Sequence, residues 1–250
     1  MGIRRLGRPA GYNYPTGLNF ISQANTVVDY LVVAGGGGAS GENVGPGATT
    51  GRGTGGGGAG GYRTASGITL SVSTPYTITV GSGGSGSGPG LVATKGSNSI
   101  FHTIHSEGGG YSSAPGFGVS GPGGSGGGGS VVAPAPTNIQ GGSGNTSPVS
   151  QGSAGGTAAM GGTPSFPAAD NNSGQGGGGG GCYQTQSGGG INGGNGGKGI
   201  VIIRYSDANG QQATGGTITT PSGYVVHTFT GDGTFTTNAD FGGSTTYSIN

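Results

Sequence analysis

The chain has 250 residues, of which 70 are glycine, about four times the usual share, while Lys, Arg, Asp and Glu together make up only 6%. Eight basic and seven acidic residues leave a net charge of +1, so no overall field attracts nucleic acid or an anionic membrane. The single cysteine, Cys182, excludes an internal disulfide, and no apolar run is long enough to span a bilayer. The composition predicts neither an ordinary enzyme core nor a charged disordered tail.

Residues 1–26 predict an extended arm. Pro9, Pro15 and scattered Gly, Asn and Ser disfavour a long helix there. The arm also carries basic and large apolar side chains, which have little use in a solvated tail. We therefore expect it to dock on another surface, and the alternative is an unattached terminus.

Several short segments predict β-strands. The run VVDYLVVA at 27–34 is rich in β-branched residues, and GIVIIRY at 199–205 is apolar on both faces and is expected to be buried. Alternating apolar residues on either side of Thr74-Pro75 predict a hairpin over 68–80, and residues 99–104 predict a short strand. A second hairpin is predicted over 224–237, around Gly-Asp-Gly at 231–233.

Glycine blocks separated by Ser-, Thr-, Asn- and Pro-rich inserts fill residues 35–199. Disorder and a collagen helix are two possible states, but collagen requires an unbroken Gly at every third position, which the inserts interrupt. In the third state, polyglycine II, extended segments with three residues per turn hydrogen-bond to their neighbours through bare main chain. The strands that bracket the region favour this third state, with each glycine block as one rod and each insert as a reversal.

These patterns divide the chain into an N-terminal anchoring arm (1–26), a glycine-rich domain (27–205) and a C-terminal β-hairpin module (206–250). No segment shows the periodicity of an amphipathic helix. The predicted fold class is all-β or irregular: a polyglycine II-type bundle bracketed by short strands and hairpins, with almost no α-helix.

The bracketing motifs resemble the glycine-rich domain of phage tail-fibre proteins and adhesins. They are VDYLVVAGGGGASG (28–41), GGGGAGGYRT (55–64), YTITVGSGG (76–84), GSNSIF (96–101) and GGNGGKGIVIIRY (193–205). Residues 215–236 resemble a short module that commonly adjoins that domain. The resemblance implies a virion protein, in a tail fibre or tail tip or alternatively on the capsid surface, that attaches to a host receptor. It also implies a possible homotrimer and an arm that anchors to other virion proteins, with candidate anchors Arg4, Arg5, Arg8, Tyr12, Tyr14 and Phe20.

Inserts with isolated aromatic and amide side chains are the candidate receptor-binding segments, because loops on a rigid scaffold commonly carry binding residues. Aromatic rings beside amide and hydroxyl groups suit a host glycan or an outer-membrane protein as partner. The candidate residues are Tyr111, Phe117, Phe166, Asp170, Asn171, Asn172 and Tyr183. Alternatively, the rings cap the ends of the bundle.

No residue pattern predicts catalysis, a metal or a cofactor. His102 and His105 have an odd spacing, which places them on opposite faces of a strand, and the acidic residues form no close pair in sequence. We therefore expect a non-enzymatic protein without cofactor, metal, nucleic-acid partner or membrane insertion. The alternatives are a virion decoration or fibre-joining subunit, an ice-binding or other glycine-rich structural protein, and a degradative spike.

Overall fold

The computed structural model of the protein describes residues 26–42, 52–132, 140–146, 148–156, 183–184 and 191–243. No helix occurs within these ranges, which confirms the all-β prediction. The strands are β1 (Thr26–Val33), β2 (Arg52–Gly53), β3 (Tyr62–Leu70), β4 (Pro75–Thr79), β5 (Ser99–Phe101), β6 (Ile104–Ser106), β7 (Val131–Val132), β8 (Tyr183–Gln184), β9 (Ile200–Ser206), β10 (Ala213–Thr214), β11 (Thr217–Thr219), β12 (Tyr224–Phe229) and β13 (Gly233–Thr237).

The strands form two five-stranded antiparallel sheets and one small sheet. The first sheet has the order β11-β12-β9-β1-β3, and the second has the order β10-β13-β4-β5-β6. The small sheet pairs β7 and β8 on either side of β2. The predicted buried strand at 199–205 is β9, which lies at the centre of the first sheet between β1 and β12.

The two large sheets pack face to face, and we call this unit the sandwich. Buried residues alternate along β1 and β9, as the two-residue period of a strand requires, and point towards the second sheet. Aromatic rings join the two layers edge to face, with centroids 6.4 Å apart for Tyr30 and Phe101 and 4.9 Å apart for His227 and Phe235. Each such pair adds about 0.5–1.5 kcal/mol beyond the burial of its apolar area.

Both predicted hairpins are wrong in their pairing, although their strands are present. β3 belongs to the first sheet and β4 to the second, so residues 71–74 cross between sheets. At this corner the Thr237 hydroxyl donates to the Ser71 carbonyl over 2.8 Å and accepts from the Thr74 N–H over 3.0 Å. β12 and β13 are divided between the sheets in the same way. Two consecutive strands with alternating apolar residues can pair as a hairpin or lie in opposite sheets of a sandwich. In both arrangements their apolar side chains face the same core, so the sequence pattern does not distinguish the two.

Residues 99–106 form a hairpin where the sequence predicted one short strand. β5 and β6 pair antiparallel and are joined by a two-residue turn at His102 and Thr103. His102 has a φ of 52°, in the left-handed region that usually favours glycine. The prediction missed this turn because neither of its residues is a usual turn former.

Beyond the sandwich, β1 continues into an extended segment of bare main chain, residues 34–42, that we call the central rod. Its N–H groups donate to three antiparallel neighbours in turn, and each neighbour recurs every third residue. The first neighbour accepts at Gly61 from Ala34 and at Gly58 from Gly37. The second accepts at Ser97 from Gly35 and at Thr94 from Gly38. The third accepts at Gly197 from Gly36 and at Gly194 from Ala39, and all six bonds measure 2.8–3.0 Å. This three-residue rotation of partners is the pattern of polyglycine II and confirms the predicted bundle.

The carbonyls of the central rod accept hydrogen bonds from two further rods. Gly84 and Ser87 donate to Gly36 and Ala39, and Gly109 and Ser112 donate to Gly35 and Gly38. Five rods therefore bond to the central one: residues 55–61, 82–90, 94–97, 108–112 and 193–199. Every residue from 32 to 42 is buried, although five of these eleven residues are glycine and have no side chain to pack.

Glycine is required where rods approach most closely. A Cβ on Gly37 would overlap the carbonyl of Gly110, and a Cβ on Gly57 would overlap the carbonyl of Gly37. Backbone hydrogen bonds and dispersion contacts therefore replace side-chain packing in the bundle.

Serine hydroxyls bridge the sandwich to the bundle. The Ser99 hydroxyl donates to the Val33 carbonyl over 2.8 Å and accepts from the Gly81 N–H over 2.9 Å. The Ser106 hydroxyl donates to the Val32 carbonyl over 2.7 Å. These bonds satisfy buried main-chain groups at the point where the β ladder changes to threefold pairing.

Candidate functional site

The direction of each rod determines which turns lie together. The central rod leaves the sandwich at Ala34, and we call the end beyond Ser40 the far end. The rod at 82–90 runs in the same direction, because successive donors Gly84 and Ser87 bond to Gly36 and Ala39. The turn at 88–93 therefore lies at the far end.

Two more outward rods lead to the same end. Donors Gly109 and Ser112 bond to Gly35 and Gly38, so the chain reaches the far end before the insert at 113–120. The segment 125–130 runs antiparallel to the inward rod 55–61, since Ser125 and Gly128 donate to Ala59 and Gly56. It ends in β7, so the small sheet also lies there.

The described residues that flank the remaining inserts lie at this end as well. Gly126 and Gly129 donate to Ser153 and Gly156, so residues 151–156 run outward. Glu42 exchanges two main-chain bonds with Ile191, at 2.9 and 3.0 Å, where the last rod turns inward. The topology therefore brings to one end the residues that border inserts 43–51, 133–139, 157–182 and 185–190.

Hydrogen bonds of serine hydroxyls connect neighbouring main-chain segments at the far end. The Ser40 N–H donates to the Ser112 hydroxyl over 2.8 Å, and the Ala93 N–H donates to the Ser40 hydroxyl over 3.0 Å. The Ser120 hydroxyl donates to the Gly128 carbonyl over 2.6 Å. These buried, satisfied groups fix the bases of the inserts at 88–93 and 113–120.

Large apolar side chains are exposed on this surface. Leu91 is 61% exposed, Phe117 61% and Val119 64%, and more than a third of Val92 and of Ile191 is also accessible. Gly116 and Gly118 have φ values of +89° and +88° with no atom near a Cβ, so Phe117 stands on an open loop. We call Leu91, Val92, Phe117, Val119 and Ile191 the apolar tip.

The candidate receptor-binding residues that the structure describes differ in whether their side chains are packed or exposed. The ring of half-buried Tyr111 covers Gly121, where any Cβ would overlap it, so Tyr111 packs on the bundle. Phe117 is exposed at the apolar tip. The backbone of Tyr183 forms part of β8. Phe166, Asp170, Asn171 and Asn172 lie outside the described residues, as do the candidate anchors Arg4, Arg5, Arg8, Tyr12, Tyr14 and Phe20.

The sequence did not predict Leu91, Val92, Val119 or Ile191 as site residues. The available signal was an aliphatic residue within a Gly- and Pro-rich turn, which has no core to join. Leu91 follows Pro89-Gly90, and Val119 follows Gly118. These residues can be recognised as one surface only after the rod directions show that their turns lie at the same end of the bundle.

The histidines lie away from the far end. His102 and His105 are exposed on the β5–β6 hairpin, and the His102 ring meets Tyr76 edge to face at 5.2 Å. His227 is fully buried in the sandwich, and burial lowers its pKa, although its hydrogen bond to the Gly215 carbonyl acts in the opposite direction. Within the described ranges, no three His, Cys, Asp or Glu side chains gather as a metal site would require.

The described part of the chain contains no helix that could cross a membrane. Neither a curated protein nor a solved structure matches the chain. A family model described as a glycine-rich domain matches residues 16–171, which is more than half of the chain. The chain therefore belongs to the glycine-rich domain family.

Proposed function

We propose that this chain is a non-enzymatic attachment protein of a phage virion, in a tail fibre or at a tail tip, whose far end binds a host cell surface. One observation carries the proposal: the rod directions bring the apolar tip and the residues flanking the other inserts to the end opposite the sandwich. The resemblance of the bracketing motifs to phage tail-fibre proteins and adhesins supports the virion assignment. The arm at 1–26 would anchor the chain to other virion proteins.

A main-chain bundle suits this role for a physical reason. Its rods are held by N–H to carbonyl bonds, so the sequence of an insert contributes little to the stability of the scaffold. Inserts can therefore change to follow a receptor while the bundle stays constant. Loops fixed at both ends by rigid rods also lose less conformational entropy on binding.

A virion decoration or fibre-joining subunit is the second candidate function. The exposed aliphatic residues of the apolar tip favour it, because such residues are also typical of a surface that another structural protein covers. The two functions differ in whether the isolated protein binds cells.

The test uses fluorescently labelled full-length protein on a panel of bacterial strains, followed by phage adsorption to any strain that binds it. The double variant Phe117→Ser and Val119→Ser removes two apolar side chains from the far end. Val149→Ser is the matched control, because Val149 is 48% exposed in a turn at the sandwich end.

We expect saturable binding that blocks phage adsorption, at least a tenfold weaker affinity for the double variant, and an unchanged affinity for the control. Absence of binding to every strain, together with location of the protein at an internal tail joint or on the capsid, would support the second function instead. Equal losses in the double variant and the control would contradict a site at the far end.

A further inference from the structure

We infer that the sandwich carries an acid-sensitive switch, in which protonation of His227 opens one edge of the second sheet while the rest of the fold stays closed. The part that opens comprises residues 212–214 and 239–243, and we call it the C-terminal flap. The inference does not depend on the proposed attachment function, because it rests on buried contacts within the sandwich.

One side chain joins the two segments of the C-terminal flap. The amide of buried Gln212 donates to the Asp240 carbonyl over 2.6 Å and accepts from the Gly242 N–H over 3.0 Å. The main-chain carbonyl of Gln212 accepts from the Asn238 N–H over 3.0 Å, where the second segment begins. β10, which follows Gln212, is an edge strand that pairs with β13 over two residues. The flap is therefore a small unit at the edge of its sheet.

The hydroxyl of Tyr205 attaches the C-terminal flap to the first sheet. It accepts from the N–H groups of Gln212 and Ala213, both over 3.0 Å, and donates to Nε2 of His227, 3.2 Å away. A hydroxyl has one proton and two lone pairs, so these three bonds use its full capacity. The Tyr205 ring also meets the Phe241 ring edge to face at 5.2 Å. Both segments of the flap therefore contact Tyr205.

The surroundings of His227 oppose a positive charge. The side chain is fully buried, and its Nδ1–H donates to the Gly215 carbonyl over 2.7 Å. Among the contacts described for His227, Tyr205 alone titrates, and none is charged at neutral pH. Burial in this environment lowers the pKa of His227. The apolar neighbours are Ile203 on β9, Ile218 on β11 and Phe235 on β13.

Protonation of His227 therefore acts on the C-terminal flap. The new Nε2–H needs a lone pair of the Tyr205 oxygen, so the hydroxyl must turn its own proton away and release Gln212 or Ala213. Because Gln212 also holds the second segment, both segments are freed together. Opening lets water reach His227 and uncovers Phe241, which is 1% exposed in the closed flap. β9 lies at the centre of its sheet, so the flap opens at a lower cost than the core.

Amide hydrogen exchange of the full-length protein at pH 7.5, 6.5 and 5.5 tests the switch, with each rate divided by that of an unstructured peptide at the same pH. The C-terminal flap is followed at the N–H groups of Ala213 and Gly242, and the closed part at the amides of β9. Low urea separates local opening from global unfolding, because only global unfolding exposes a large surface. The variants are His227→Gln and Tyr205→Phe, with His105→Gln as the control at an exposed histidine.

In the wild type we expect the corrected exchange rate of the flap to rise by up to about tenfold per pH unit below pH 6.5, because protonation favours the open form. Urea at 1 M should change this rate by less than about twofold but speed exchange in β9 by more than about fivefold. His227→Gln should remove most of the pH dependence, and His105→Gln should keep it. Tyr205→Phe should speed flap exchange by about tenfold or more already at pH 7.5, because two buried amides lose their acceptor.

Corrected flap exchange that does not depend on pH, or a pH dependence that His227→Gln retains, would overturn the inference. Flap and β9 amides that exchange at one rate, with one urea dependence, at pH 5.5 would also overturn it, because the opening would then not be local. If His227→Gln fails to fold, Tyr205→Phe still decides: exchange of its flap at the wild-type rate at pH 7.5 would show that the hydroxyl does not hold the flap.

Discussion

At the scale of single residues, His227 and Tyr205 form a closed hydrogen-bond chain in the sandwich. The Gly215 carbonyl can only accept, so the Nδ1 of His227, 2.7 Å away, carries the proton. The Tyr205 hydroxyl accepts from the N–H groups of Gln212 and Ala213 at 3.0 Å and therefore donates to Nε2 of His227 over 3.2 Å. This arrangement fits the neutral imidazole and has no acceptor for a second proton.

The lowered pKa of His227 predicts that acid destabilises the fold. Burial opposes protonation in the folded state, whereas the unfolded chain takes up a proton near the ordinary value of 6.5. The free energy of unfolding should therefore be fully present above about pH 6.5 and fall below it by up to about 1.4 kcal/mol per pH unit until the folded-state pKa is reached. Urea denaturation between pH 7.5 and 5 measures this slope.

Substitutions of the two exposed histidines are the control for this prediction. His102→Gln and His105→Gln should keep the slope, whereas His227→Gln should flatten it between pH 6.5 and 5 and lower stability at pH 7.5. A wild-type stability that rises as the pH falls through 6.5 would contradict the neutral buried imidazole.

At the scale of elements, the contact between two rods predicts opposite effects for the same substitution at two glycines. A Cβ on Gly37 would overlap the Gly110 carbonyl, whereas a Cβ on Gly88 would make ordinary contacts at 3.8 Å and 3.9 Å. Gly37→Ala must separate rods and break their hydrogen bonds, so it should cost about 3 kcal/mol or more. Gly88→Ala should be neutral or stabilising by up to about 1 kcal/mol, because alanine reduces the entropy of the unfolded chain.

Chemical denaturation of the two variants measures the difference directly. Equal stabilities would contradict close main-chain packing around the central rod, because a loosely packed chain would accept a methyl group at either position.

The sequence could predict where β1, β4, β9, β12 and β13 lie, but it could not predict β6, β10 and β11 or how the strands pair. The β-branched runs of β1 and β9 and the alternation in β4 and β12 are visible in the sequence, because the polarity of each strand residue follows whether its side chain is buried. Pairing depends on which core a strand shares. The strands β3 and β4 have the same pattern whether they pair with each other or face each other from opposite sheets. The hairpin at His102 was missed because a non-glycine residue with positive φ has no sequence signal.

At the scale of the whole molecule, two cores stabilise one fold. Side chains pack in the sandwich, while backbone amides pack in the bundle, and Ser99 and Ser106 connect the two. The sequence could identify the glycine blocks as rods. It could not give their directions, because the central rod pairs with segments up to about 160 residues away in the sequence. Glycine also has no side chain whose burial would indicate which residues pair. The candidate inserts were therefore recognisable from composition, but their position at one end was not.

The central claim is that main-chain hydrogen bonds between glycine rods form a core. Amide hydrogen exchange of the full-length protein, resolved for residues 34–39, tests it most directly. Each of these six N–H groups donates to a carbonyl inside the bundle, so the account predicts exchange as slow as that of buried amides in β9. Exchange of these amides at the rate of an unstructured peptide, while β9 remains protected, would contradict the account.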